Sequence, residues 1–84
     1  MVGIEYLVST DKERAIRGNH RKQPNGDFIS YIYHWTVICQ TMPGNTFWAN
    51  NRGWNTQSTN RAVDAYRKAL TARGFTELPA PNQT

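Results

Sequence analysis

Cysteine is almost missing from this chain: Cys39 is the one thiol in 84 residues. No intrachain disulfide can form, and no paired Cys/His spacing offers a set of metal ligands. The fold has to stand on packing. Long apolar runs are missing as well, since no stretch approaches the ~18 residues of a membrane span. The Met1-Val2-Gly3-Ile4-Glu5-Tyr6 start also lacks the basic opening and apolar core of a secretory leader. Together these absences lead us to expect a soluble, cytoplasmic protein with no metal, no small-molecule cofactor and no membrane contact.

Acid is absent from the middle. Between Asp27 and Asp64 lie 36 residues without a carboxylate, in which Arg52 and Arg61 are the fixed charges. The other cations stand in two blocks. Lys12, Arg14, Arg17, Arg21 and Lys22 precede the acid-free interval, and Arg67, Lys68 and Arg73 follow Arg61 beyond it. The net charge of +4 is therefore concentrated on either side of a neutral centre, a field that favours phosphate-bearing or acidic partners.

Aromatic mass is what the chain does have: three Trp, four Tyr and three Phe. A domain of this size buries only about 60 to 65% of the surface of its unfolded chain, so these rings must supply much of a thin core. We expect one compact domain over residues 1–78, with a mobile basic loop over about 18–27 and a disordered tail over 79–84.

Val2, Ile4, Tyr6 and Val8 alternate with less apolar neighbours, which predicts a first strand. Thr10-Asp11-Lys12-Glu13 fits a capping box, and a short helix over 11–17 is expected to follow that strand. The segment from Gly18 to Asp27 has no periodicity and reads as a loop. From Phe28 to Met42, β-branched and aromatic residues predict one long strand, closed by Met42-Pro43-Gly44-Asn45 as a type II turn. A tight turn there would pair residues whose numbers sum to 87, setting Cys39 beside Trp48, Trp35 beside Arg52 and Tyr33 beside Trp54. The N-cap candidates at 55–60 open a helix whose stripe is Ala62, Tyr66, Ala69 and Leu70, and Gly74-Phe75 reads as its stop. The expected fold class is α+β, a three-stranded antiparallel sheet packed by a C-terminal α-helix. One such helix covers one face of the sheet, leaving the other for a partner, a homodimer contact or the 11–27 segment.

That topology resembles double-stranded RNA-binding domains and the arm-type DNA-binding domains of phage integrases. Ser58-Thr59-Asn60-Arg61-Ala62 sits where the RNA-binding family opens its last helix with a Ser, two lysines and an Ala, but Thr59 and Asn60 replace both lysines.

The function expected is non-enzymatic nucleic-acid binding, to DNA or RNA. Arg17, His20, Arg21 and Lys22 form the basic loop, and Arg61, Arg67 and Lys68 the basic helix face, for phosphates. Trp48, Asn50, Arg52 and Trp54 form a ring-and-amide face for bases, on which each stacked base contributes about 1 to 3 kcal/mol. The same Trp, Tyr and Arg face would equally serve a protein-binding module or inhibitor. A third reading is a minimal ribonuclease built on His20 and His34, the two residues that titrate near neutrality.

Overall fold

The computed structural model describes residues 3–9, 14–16 and 19–80. Two helices, α1 (Ile4–Ser9) and α2 (Gln57–Ala72), lie on one face of a mixed sheet. The strands are β1 (Arg14–Ile16), β2 (His20–Asn25), β3 (Phe28–Tyr33), β4 (Thr36–Met42), β5 (Thr46–Ala49) and β6 (Thr76–Glu77), adjacent in that order. Every neighbouring pair is antiparallel except β5 and β6. The α+β class and the C-terminal helix stand, whereas the strand count and the opening strand do not.

Residues 4–9 form a helix instead of the expected strand. Ile4, Leu7 and Val8 also satisfy the i, i+3, i+4 spacing of a helical stripe. Docking against α2 selects that reading, with Leu7 fully buried and Val8 nearly so. A six-residue helix gains little by itself, so its stability comes from this contact. Of the helix expected over 11–17, residues 14–16 are strand β1, paired to β2 from Arg14↔Lys22 to Ile16↔His20. The Thr10–Glu13 capping box and Arg17 fall outside the described residues.

The segment expected to be a loop contains β2. Asn25 pairs with Phe28 around the two-residue turn Gly26-Asp27, where Gly26 takes φ +66°. Pro24, opposite Ile29, is the penultimate residue of β2. The long strand expected over 28–42 is in fact two. Tyr33 pairs with Thr36, leaving His34 (φ 48°) and Trp35 (φ 68°) as a two-residue turn. Both positions require left-handed backbone, which favours Asn and Gly over a large L side chain. The double substitution His34→Asn with Trp35→Gly should therefore raise stability by roughly 1 kcal/mol, lifting Tm by about 4 to 8 °C in a thermal melt. An unchanged or lowered Tm would show that the turn carries no strain.

The β4–β5 hairpin is offset by one residue from the register expected. Pro43, Gly44 and Asn45 form a three-residue connection, with Gly44 (φ 85°) and Asn45 (φ 57°) both left-handed, so Met42 faces Thr46 and Cys39 faces Ala49. One residue of slip transfers alternate side chains to the other face. Cys39 thus joins the core while Trp48 leaves it for the opposite side, across from Gln40.

Thr56 caps α2, accepting a hydrogen bond from the Thr59 amide at 3.2 Å. At the other end Phe75 N–H reaches Leu70 O (3.0 Å) and Gly74 N–H reaches Thr71 O (3.0 Å), with Gly74 at φ 90°. This is the Schellman stop expected from Gly74-Phe75. Ala62, Val63, Tyr66, Ala69 and Leu70 pack onto Tyr31, Ile38, Cys39, Phe47 and Ala49 to form the core.

Among the described residues, no helix covers the other face of the sheet. A row crosses it along Gln23, Ser30, Gln40 and Trp48. Trp48 Nε1 donates to Gln40 Oε1 (3.1 Å), and Gln40 Nε2 donates to Ser30 Oγ (3.3 Å).

Candidate functional site

Among the described residues the two most exposed large apolar side chains, Trp35 (92%) and Trp54 (59%), belong to one end of the molecule. Trp35 sits at the tip of the β3–β4 turn, and Trp54 in the loop between β5 and α2. A cleft of about 320 Å³ opens there. Its apolar wall is Tyr33, Ile38 and Trp54, with His34 beside them, and its other wall is Thr36, Thr56, Ser58 and Thr59. Side-chain amides hold the loop in place. Asn50 Oδ1 accepts from Arg52 N–H (2.7 Å), Asn51 Oδ1 accepts from Gly53 N–H (3.0 Å), and Asn60 bonds both Asn51 (3.0 Å) and Asn55 (2.9 Å). Local Asx bonds of this kind let a short loop keep a fixed shape.

Ser58 is also part of the wall of an adjoining groove of about 390 Å³, where His20, Gln57 and Arg61 meet Ile4. The histidines, far apart in sequence, flank one ring: His20 stacks on Tyr33 at 4.6 Å, and His34 meets the same ring edge-on at 4.3 Å. His20 Nδ1 lies 3.0 Å from the Tyr66 hydroxyl. Burial pushes the Tyr66 hydroxyl well above the usual phenol range, so it stays protonated and serves as the donor to a neutral imidazole. Burial, with His34 nearby, also holds His20 below its ordinary 6.5.

The consequence for stability has a definite sign. As pH falls through 6.5 the unfolded chain takes up the His20 proton before the folded one does, so stability is full above 6.5 and declines below it. The urea midpoint should therefore be lower at about pH 5.5 than at 7.5, with the difference reduced in His20→Gln. Equal midpoints in the parent protein would contradict the buried neutral imidazole.

The structure separates the sequence-predicted residues. Lys22 is not a loop cation: strand parity turns it onto the helix face, 2% exposed, with Nζ 3.4 Å from Val8 O and 5.6 Å from the Tyr31 ring centroid. Trp48 is 4% exposed beneath the Arg52 guanidinium, which stands 5.5 Å from its ring, so it offers no free face to a base. Arg67 is held by Glu77 (2.8 and 3.0 Å) and Asp64 (3.0 Å). Asn50 is spent on the loop, and Arg17 lies outside the described residues. Arg21, Arg52, Arg61 and Lys68 are exposed, but Lys68 is on the outer side of α2, whereas Arg21 is on the uncovered sheet face. His20, Trp54 and Arg61 are brought together at the end of the molecule.

Sequence reasoning set Trp35 on a sheet face beside Arg52 instead of at a turn, and did not bring Thr36 and Ser58 to one site. A Trp following a His in a β-rich run carries no local turn signal, and the hydroxyls acquire a shared purpose only when α2 docks beside β4.

The chain matches no protein-family model, no curated protein and no solved structure. Among the described residues no group of three or more His, Cys, Asp or Glu could hold a metal ion, and no helix is long and apolar enough to cross a membrane. The Cys39 thiol is fully buried and pushed far above its ordinary range by that burial, so it is no nucleophile.

Proposed function

We propose that this protein binds single-stranded nucleic acid without catalysing a reaction on it, using the end of the molecule where Trp35, Trp54 and Arg61 stand. One observation carries the reading. The exposed Trp54 ring and the Arg61 cation stand on two adjoining surfaces whose lining contains no carboxylate. Exposed rings reward unpaired bases, which have free faces, and offer nothing to bases stacked inside a duplex. Arg61 in the groove, Arg21 near the same end of the sheet and Arg52 two residues before Trp54 supply the phosphate contacts. Lys22 and Arg67 take no part in these contacts, one being buried and the other ion-paired.

The non-enzymatic reading is supported by His20, whose ring is half-buried, stacked on Tyr33 and bonded to Tyr66. Only His34 of the imidazoles lines the cleft, which leaves an acid and base pair incomplete.

Fluorescence anisotropy with a labelled oligothymidine, the matching duplex and a duplex RNA at low and physiological salt tests the proposal. The single strand should bind most tightly and weaken as salt rises. Preference for either duplex, or no salt-sensitive binding at all, would overturn it. Capture by a protein partner through the same tryptophans would then be the reading to pursue.

A further inference from the structure

We propose that the cleft beside Trp54 is a pocket for one nucleobase, with the adjoining groove taking the phosphate of the same nucleotide. The proposal rests on the nucleic-acid reading for its biological setting but on separate observations for its chemistry. The cleft, at about 320 Å³, is within the size range of small-molecule sites and is closed mainly by rings and one aliphatic side chain, with no fixed charge in its lining. That suits a planar neutral group. Its opposite wall is lined by Thr36, Thr56, Ser58 and Thr59; the Thr56 hydroxyl is engaged with Thr59, and those of Thr36 and Ser58 can donate or accept. An aliphatic side chain inserted from a protein partner would strip water from those hydroxyls and return no hydrogen bond. A base returns one from its polar edge while one of its faces meets Trp54.

The second observation is the neighbouring groove. It shares Ser58 with the cleft and brings Arg61 to its wall. A neutral aromatic-walled cleft joined to a cationic groove matches the two halves of a nucleotide, the base and its phosphate. Hydroxyls that switch between donor and acceptor do not dictate one base, so modest discrimination among the four is expected.

Two sources present this chemistry, a free mononucleotide and a base splayed out of a strand. The intact protein is titrated to millimolar concentration with each nucleoside 5′-monophosphate, with ribose 5-phosphate and inorganic phosphate as probes lacking a base. Tryptophan fluorescence and the Trp54 indole N–H resonance report binding. Mononucleotides should saturate and shift that resonance, and the two base-free probes should not. Trp54→Ala and Ser58→Leu should each weaken the mononucleotide at least about fivefold, with Tm measured alongside to establish that both variants remain folded.

Absence of mononucleotide saturation, equal binding of ribose 5-phosphate, or full affinity in both folded variants would overturn the pocket. If oligonucleotides bind while mononucleotides do not, the pocket falls and the strand-binding reading stands. If mononucleotides bind while oligonucleotides do not, the pocket stands as a free-nucleotide site and the strand-binding reading falls.

Discussion

Tyr66→Ala will remove about 3 to 5 kcal/mol of stability, a large share of the roughly 4 to 13 kcal/mol that a domain of this length has. Tyr66 is fully buried at the centre of the α2–sheet contact, with Tyr31 at 5.1 Å and His20 at 5.6 Å between ring centroids. With so few large aliphatic residues behind it, the cavity has little to collapse into it. Tm should fall by about 12 to 40 °C, and the variant will be partly unfolded at ambient temperature if the parent lies near the low end. Tyr66→Phe separates ring from hydroxyl. It keeps the volume and deletes only the hydrogen bond to His20, so its loss should be about 1 kcal/mol. Urea unfolding followed by circular dichroism measures both. A loss under about 1.5 kcal/mol for Tyr66→Ala would mean that α2 does not rest on this ring.

Trp54→Ala will weaken oligothymidine binding by roughly 5- to 150-fold, the loss of about 1 to 3 kcal/mol for one stacked base, while leaving Tm close to that of the parent. The side chain is 59% exposed and contributes little to the core, so affinity and stability should come apart. Arg61→Ala should act differently. With two or three phosphates neutralised, the slope of log K against log salt for a single strand is about −1.4 to −2.1, so going from 50 to 200 mM salt costs roughly 7- to 18-fold. Removing Arg61 should make that slope shallower by about 0.7. Anisotropy titrations of the two variants at both salt concentrations provide the check. If Trp54→Ala changes the slope and Arg61→Ala does not, the assignment of ring to base and cation to phosphate is wrong.

The stabilising turn substitution connects to this pair. His34 and Trp35 occupy left-handed positions that Asn and Gly would fill with less strain, and His34 lines the cleft. A more stable His34→Asn, Trp35→Gly protein that binds nucleic acid less tightly would mean the strain is retained for binding.

Much of α2 was legible in the sequence. The Ala62, Tyr66, Ala69, Leu70 stripe, the Thr56 cap ahead of it and Gly74-Phe75 behind it are local signals, the two ends being satisfied by hydrogen bonds within a few residues. The β character of 28–42 was legible for the same reason, since branched and aromatic enrichment needs no partner to be seen. The site was half legible. Trp54 and Arg61 could be chosen by residue type, but Trp48, Lys22 and Arg67 were chosen on the same grounds and turn out to be covered, buried or ion-paired.

By itself, then, the sequence determined the α+β class, the C-terminal helix with its two ends, the dependence on aromatic packing and the carboxylate-free middle. Tertiary structure alone decided that residues 4–9 are helical, because α2 supplies the surface on which Leu7 and Val8 are buried. It also decided the hairpin register, because one extra residue in the 43–45 turn sends Trp48 to one face and Cys39 to the other. Charge and ring content follow from composition; which rings and which cations remain available to a partner depends on what each strand and helix is packed against.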